Sequence, residues 1–113
     1  MGQELILRYG QPPTPLWSTH VMMHQPDLVG DIHDDYFASG AKIATTNTYA
    51  VHRDRLLGSG HSRAFEDLHD AALSIATAAR DAHGSGRIAG AIGPLIASYR
   101  PDIHPPFEKA VPL

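Results

Sequence analysis

Residues 42–50, KIATTNTYA, decide the fold. The stretch begins as a buried strand, which we predict over residues 41–46, and four hydrogen-bonding side chains and a phenol follow at positions 45–49. A turn alone does not require so many polar side chains, so the pattern favours a ligand-binding site at the end of the strand. The alternative is that threonine simply favours strands and that Asn47 begins a turn.

A second strand is predicted over residues 87–95, RIAGAIGPL, which are small and apolar. Parallel strands that helices cover on both faces have this composition. A long helix that starts near Ser62 and ends at HGSG (83–86) separates the two strands, which makes a parallel βαβ unit and an α/β fold. Its apolar stripe consists of Phe65, Leu68, Ala72, Ile75, Ala76 and Ala79.

Shorter helices are predicted before the first strand. Gly10 closes one helix, Ser18 is a candidate N-cap for a second, and Pro26 begins a third at its first position. Residues 50–62, AVHRDRLLGSGHS, are predicted to be a polar connection. The third helix carries an apolar side made of Leu28, Val29, Ile32, Tyr36 and Phe37.

Composition limits the classes of function. The 113 residues are 42% hydrophobic and 19% charged with a formal net charge of −3, so no cationic surface for nucleic acid is expected. The sequence contains neither a membrane-spanning apolar run nor a signal-peptide pattern, which predicts a cytoplasmic protein without a membrane partner. With no cysteine, the chain cannot form a thiolate metal site.

Two alternatives to an enzyme remain open. His20 and His24 are four residues apart on a predicted helix, the spacing of a two-histidine metal site, although no third ligand is indicated. Two strands also leave uncovered edges, so the chain could be a noncatalytic α/β protein that self-associates through them. We expect an oligomer, a molten state or aggregation, and not a monomer that unfolds cooperatively.

Four motifs together carry a family resemblance: PLWS (15–18), PDLV (26–29), TTNTY (45–49) and GPLIASYRP (93–101). With them, essentially the whole chain resembles the N-terminal part of a homocysteine S-methyltransferase. The resemblance implies a (β/α)8 TIM barrel that moves a methyl group from S-methylmethionine, S-adenosylmethionine or betaine to homocysteine, giving methionine. It also implies a zinc ion, held by three cysteine thiolates in the full-length family, that binds the homocysteine sulfur.

The resemblance implies roles for individual residues. Thr46, Asn47, Thr48 and Tyr49 match the segment that lines the substrate pocket after one strand. Trp17 matches an aromatic position near the methyl donor, although an ordinary helix-docking role is a competing interpretation. Gly93 and Pro94 match the turn after the next strand, where a glycine lets the backbone approach a bound amino acid.

The chain departs from this family in length, because a barrel of this class needs roughly 250 residues. It matches roughly the first three βα units of a partial (β/α)8 barrel, with the first strand missing. We therefore expect residues 1–113 to be a truncated homocysteine-binding domain that is inactive alone and carries no zinc of its own.

Overall fold

The computed structural model describes residues 1–110 of the chain. Helices dominate this part, and the strands are short. The helices are α1 (Gly2–Tyr9), α2 (Trp17–His24), α3 (Pro26–Ala38), α4 (Arg53–Gly58), α5 (Phe65–His83) and α6 (Phe107–Ala110), and the strands are β1 (Ile43–Thr45) and β2 (Arg87–Ala89).

The first three helices pack on one another and bury the main apolar core. Gly10 ends α1 in the left-handed conformation, with φ 68°, as predicted. Pro26 begins α3 at its first turn, also as predicted. Side chains from all three helices are fully or almost fully buried: Leu5, Val21, Met22, Val29 and Ile32.

The predicted start of α2 is wrong. The helix begins at Trp17, and Leu16 rather than Ser18 takes the N-cap position. A turn sets this start, because the Trp17 N–H donates to the Thr14 carbonyl at 2.8 Å and the Thr19 N–H donates to the Leu16 carbonyl at 3.0 Å. Ser18 is consequently buried inside the first turn of the helix.

The long helix α5 lies along α3 and covers the sheet. A 3-10 turn at Ser62–Ala64 leads into it, and Gly84 ends it with φ 83°. The predicted stripe is confirmed at Leu68, Ala72, Ala76 and Ala79, which are buried, while Phe65 and Ile75 are half-buried. On α3 the stripe is wrong at Tyr36, because the phenol is 40% exposed and His33 is buried instead.

The two strands pair in parallel, with Ile43 opposite Arg87 and Thr45 opposite Ala89. This pairing confirms the predicted α/β class with a parallel sheet. Both strands are shorter than predicted. β1 starts later than predicted because the Ala41 N–H donates to the Tyr36 carbonyl at 2.9 Å and so belongs to the end of α3. β2 ends before Ala91, because the Ala91 N–H donates to a threonine side chain and not to the neighbouring strand.

Burial of the sheet is one-sided, which corrects the expectation that both faces are covered. Ala44 packs with Phe37, Ala76 and Ala79 under the helices. Ile43 on the other face is 55% exposed, because α3 and α5 both lie on the Ala44 side.

The segment between β1 and α5 is more ordered than the sequence indicated. Instead of a polar connection over residues 50–62, it contains α4, whose Leu56 is fully buried. Val51 and His52 just before this helix are buried as well. No helix among residues 1–110 combines the length and the apolar character that crossing a membrane requires.

Candidate functional site

The polar side chains after β1 form a hydrogen-bond network with the segment after β2. Thr46 and Thr48 are each 6% exposed, and their hydroxyl oxygens lie 2.9 Å apart. The Thr48 hydroxyl donates to the Ala91 carbonyl at 2.6 Å, so Thr46 must be the donor within the threonine pair. The Ala91 N–H lies 3.2 Å from Thr46 Oγ1 and 3.3 Å from Thr48 Oγ1. The threonines therefore join the two loops at the carboxyl ends of the parallel strands.

Asn47 connects the same loop to the start of α2. Its Nδ2 donates to the Ser18 carbonyl at 3.1 Å, and the side chain is almost fully buried. Trp17, the neighbour of Ser18, is 39% exposed and has φ 50°, an uncommon conformation for a residue other than glycine. Its indole Nε1 lies beside Gly2, where an added Cβ would approach it to 3.1 Å. The observed link between Trp17 and the loop runs through its neighbour Ser18.

Tyr49 and Gly93 meet across the two loops. The Tyr49 phenol is 45% exposed. A Cβ atom on Gly93 would overlap the Tyr49 carbonyl oxygen and would stand 3.2 Å from the ring carbons Cδ1 and Cε1. The close approach therefore requires glycine at position 93.

Pro94 is exposed, and α4 holds its carbonyl. Arg55 Nη2 donates to the Pro94 carbonyl at 3.0 Å and to Ser98 Oγ at 3.2 Å. The neighbouring Asp54 Oδ2 accepts the Ile96 N–H at 2.8 Å. Neither Asp54 nor Arg55 was predicted from the sequence, in which the available signal is an acidic and a basic residue side by side in a segment that follows a strand.

Cavities adjoin the segment from residue 91 to residue 98. One, of about 270 Å³, is lined by Thr48, His52, Phe65, His69 and Gly93 among others. The second, of about 660 Å³, is lined by Leu16, His20, Asp54, Arg55, Ile96 and Ser98 among others. The smaller cavity touches both loops that the threonines join.

His52, another residue that the sequence analysis missed, borders the smaller cavity. It is 6% exposed, and its Nε2 has no hydrogen-bond partner within residues 1–110. Burial first, and the positive charge of Arg55 second, lower the pKa of this imidazole below its ordinary value. The lowered pKa favours the neutral imidazole, whose Nε2 is placed to take part in one hydrogen bond in the cavity.

The two histidine rings on α2 lie in contact at an interplanar angle of 34°. The rings of His20 and His24 have centroids 4.1 Å apart, and His24 Nδ1 lies 2.8 Å from the His20 carbonyl. Within the described residues, no group of three or more histidine or acidic side chains is placed to hold a metal ion. This arrangement gives no support to a histidine metal-binding module.

Parallel strands joined by a helix, with polar loops gathered at their carboxyl ends, define an α/β protein; in open α/β sheets ligands generally bind at this edge. A family model described as homocysteine S-methyltransferase matches residues 1–112. The chain therefore belongs to the homocysteine S-methyltransferase family, which confirms the resemblance drawn from its motifs.

Two curated proteins and one solved structure are similar to the chain. The homocysteine S-methyltransferase of Escherichia coli (strain K12) is 31% identical over 121 aligned positions, which cover 92% of this chain and 38% of that protein. Homocysteine S-methyltransferase YbgG of Bacillus subtilis (strain 168) is 39% identical over 67 residues, 58% of this chain and 21% of that protein. The crystal structure of the homocysteine methyltransferase MmuM from Escherichia coli, in its metallated form, aligns with a TM-score of 0.83 and 28% identity over 96% of this chain.

The chain spans less than half the length of these relatives, since the aligned part is 43% of the MmuM chain. Membership of the family is thus established over residues 1–112. The activity and substrates of the whole proteins are not transferred with it.

Proposed function

We propose that the loops at Thr46–Tyr49 and Gly93–Pro94 form part of a homocysteine-binding site in a homocysteine S-methyltransferase. One observation carries the proposal: the threonine hydroxyls bind Ala91 and thereby bring both loops to one edge of the parallel sheet. The cavity of about 270 Å³ between Thr48 and Gly93 is large enough for an amino acid of this size.

In this proposal the threonines shape the pocket by holding the two loops together, and they do not bind the ligand themselves. The protons of Thr46 and Thr48 are already donated within the chain, so a ligand would meet the backbone at Gly93 and the neutral imidazole of His52. The exposed rings of Tyr49 and Trp17 suit a cationic methyl donor such as S-methylmethionine, S-adenosylmethionine or betaine. A cation over an aromatic face gains about 0.5 to 2 kcal/mol.

Zinc does not fit the residues of this chain. The sequence has no cysteine. Within residues 1–110, no three histidine or acidic side chains lie close enough together to bind one metal ion. We therefore derive no step of methyl transfer through a metal, and we propose that zinc thiolates are supplied by protein outside these 113 residues. On this view the chain forms part of a (β/α)8 barrel, roughly its first three βα units without the first strand.

Homocysteine binding can be tested with two glycine variants. Calorimetric titration of the chain with homocysteine should give a measurable Kd, and Gly93→Ala should weaken it by about tenfold or more, because the new methyl group displaces the turn. Gly90→Ala is the matched control, since nothing lies within 4 Å of a Cβ at that position.

The outcome separates two interpretations of the loops. Equal weakening by both substitutions, or no binding by the parent chain, would contradict the proposed site. Methyl transfer is assayed in parallel with zinc and each of the three donors, for the 113-residue chain and for a longer version that includes the flanking reading frames. Activity only in the longer version is expected.

A further inference from the structure

Two consecutive residues of α4 anchor the segment after β2 at positions beyond those that the threonines bind. Asp54 Oδ2 accepts the Ile96 N–H at 2.8 Å, and Arg55 Nη2 donates to the Pro94 carbonyl at 3.0 Å. The threonines act on Ala91 instead. The segment from residue 91 to residue 98 is therefore fixed at two separate places.

The anchored segment has an uncommon backbone conformation. Ile96 has φ 65°, in the left-handed region that a β-branched residue rarely occupies. Asp54 binds the N–H of this same residue. Its second carboxylate oxygen, Oδ1, accepts the Arg55 N–H at 2.8 Å, which fixes the carboxylate on the helix. Asp54 is thus placed to hold Ile96 in a conformation that its side chain disfavours.

The conformation of this segment sets the position of Gly93. Gly93 lies in close contact with the Tyr49 backbone and ring, so a displacement of about 1 Å would separate the two loops. Pro94, the next residue, is bound directly by Arg55. Asp54 and Arg55 consequently control the contact on which the proposed homocysteine site depends.

We propose that Asp54 and Arg55 are positioning residues of the homocysteine site, which hold the Gly93–Pro94 turn in its binding conformation. They touch the turn and not the ligand. This inference rests on the proposed function. A purely stabilising role would alter unfolding without a specific effect on the turn or on homocysteine binding.

The test combines hydrogen exchange with calorimetry on the full 113-residue chain. Asp54→Ala and Arg55→Gln should each weaken homocysteine binding by about tenfold, because each removes a charge-assisted hydrogen bond, and Asp54→Ala should raise exchange of the Ile96 amide by a similar factor. Arg80→Gln on α5 is the matched control. Arg80 Nε donates to Asp81 at 2.7 Å, and neither residue lines the cavities beside the turn, so both readouts should stay unchanged.

A second substitution separates positioning from general stability. Glycine accepts a positive φ without strain, so Asp54→Ala combined with Ile96→Gly should recover most of the lost homocysteine affinity. Absence of recovery overturns the inference, and so does faster exchange with unchanged affinity. If the parent chain binds no homocysteine, the proposed function fails, whereas the exchange rates still decide whether Asp54 orders the turn.

Discussion

His33 is a buried imidazole on α3. Only 2% of its surface is exposed, and Nε2 has no hydrogen-bond partner within residues 1–110. Burial lowers its pKa below the ordinary value; the nearby Asp34 charge opposes this effect and the positive N-terminus adds to it. The fold therefore holds His33 neutral, while the unfolded chain protonates it near the usual pKa.

This residue makes the stability of the chain depend on pH. Because the pKa is lower in the folded state, His33 imposes no cost above the unfolded pKa of about 6.5, and stability is lost as the pH falls below that value. The loss from one histidine is at most about 1.4 kcal/mol per pH unit. Urea unfolding at about pH 7 and about pH 5 should show the loss, and His33→Leu should reduce it.

The exposed His104 provides the comparison. His104→Leu should leave the difference between the two pH values as in the parent chain. An equal reduction by both substitutions would show that burial of His33 is not the cause. Some dependence should persist in His33→Leu, because burial lowers the pKa of His52 in the same direction.

Residue types at the site were predictable from the sequence, but their partners were not. Thr46 and Thr48 became candidates because polar side chains follow a predicted strand, and Gly93 became one through the family resemblance. Their contacts join residues more than 40 positions apart, and a linear pattern carries no such distance. Nor could it indicate that Asn47 binds the Ser18 carbonyl, because that bond depends on where α2 begins.

At the scale of elements, α5 approaches the sheet through small residues. Ala76 is fully buried with Phe37 and Ala44. Ala76→Leu would overpack this contact, so the free energy of unfolding should fall by about 1 to 3 kcal/mol. Ala78→Leu on the exposed side of the same helix should change it by less than about 0.5 kcal/mol. Urea denaturation measures both, and equal effects would contradict the observed orientation of the helix.

Long helices were predicted well because their apolar period is local to the segment. α4 was missed because a six-residue helix with one buried side chain, Leu56, has no readable period. The strands were predicted too long for a different reason. The Ala41 N–H donates to the Tyr36 carbonyl at the end of α3, and the Ala91 N–H donates to the threonine hydroxyls. Neither N–H is therefore available for pairing between the strands.

The whole molecule is more open than a compact domain of its size. It exposes 6966 Å², whereas a monomer of 12.2 kDa typically exposes about 6,100 Å². Its Cα radius of gyration is 14.5 Å, against about 13 Å expected for this length. The surplus surface, roughly 900 Å², is close to what one partner contributes to a standard interface.

The uncovered sheet is the natural place for that interface. Within the described residues β1 pairs only with β2, so its second edge is open, and Ile43 on this strand is 55% exposed. We predict that the chain self-associates at micromolar concentration and that Ile43→Lys weakens the association. Sedimentation velocity over a range of concentrations measures both.

Leu73→Lys tests whether the sheet itself is responsible. Leu73 is 51% exposed on α5, so this substitution adds the same charge at nearly the same exposure but on a helix surface. Association should be unchanged in Leu73→Lys and weakened in Ile43→Lys, because a lysine on an open strand opposes edge pairing. If both variants behave alike, net charge rather than the open edge governs association. If the parent chain is a monomer with sharp cooperative unfolding, the uncovered sheet is stable without a partner.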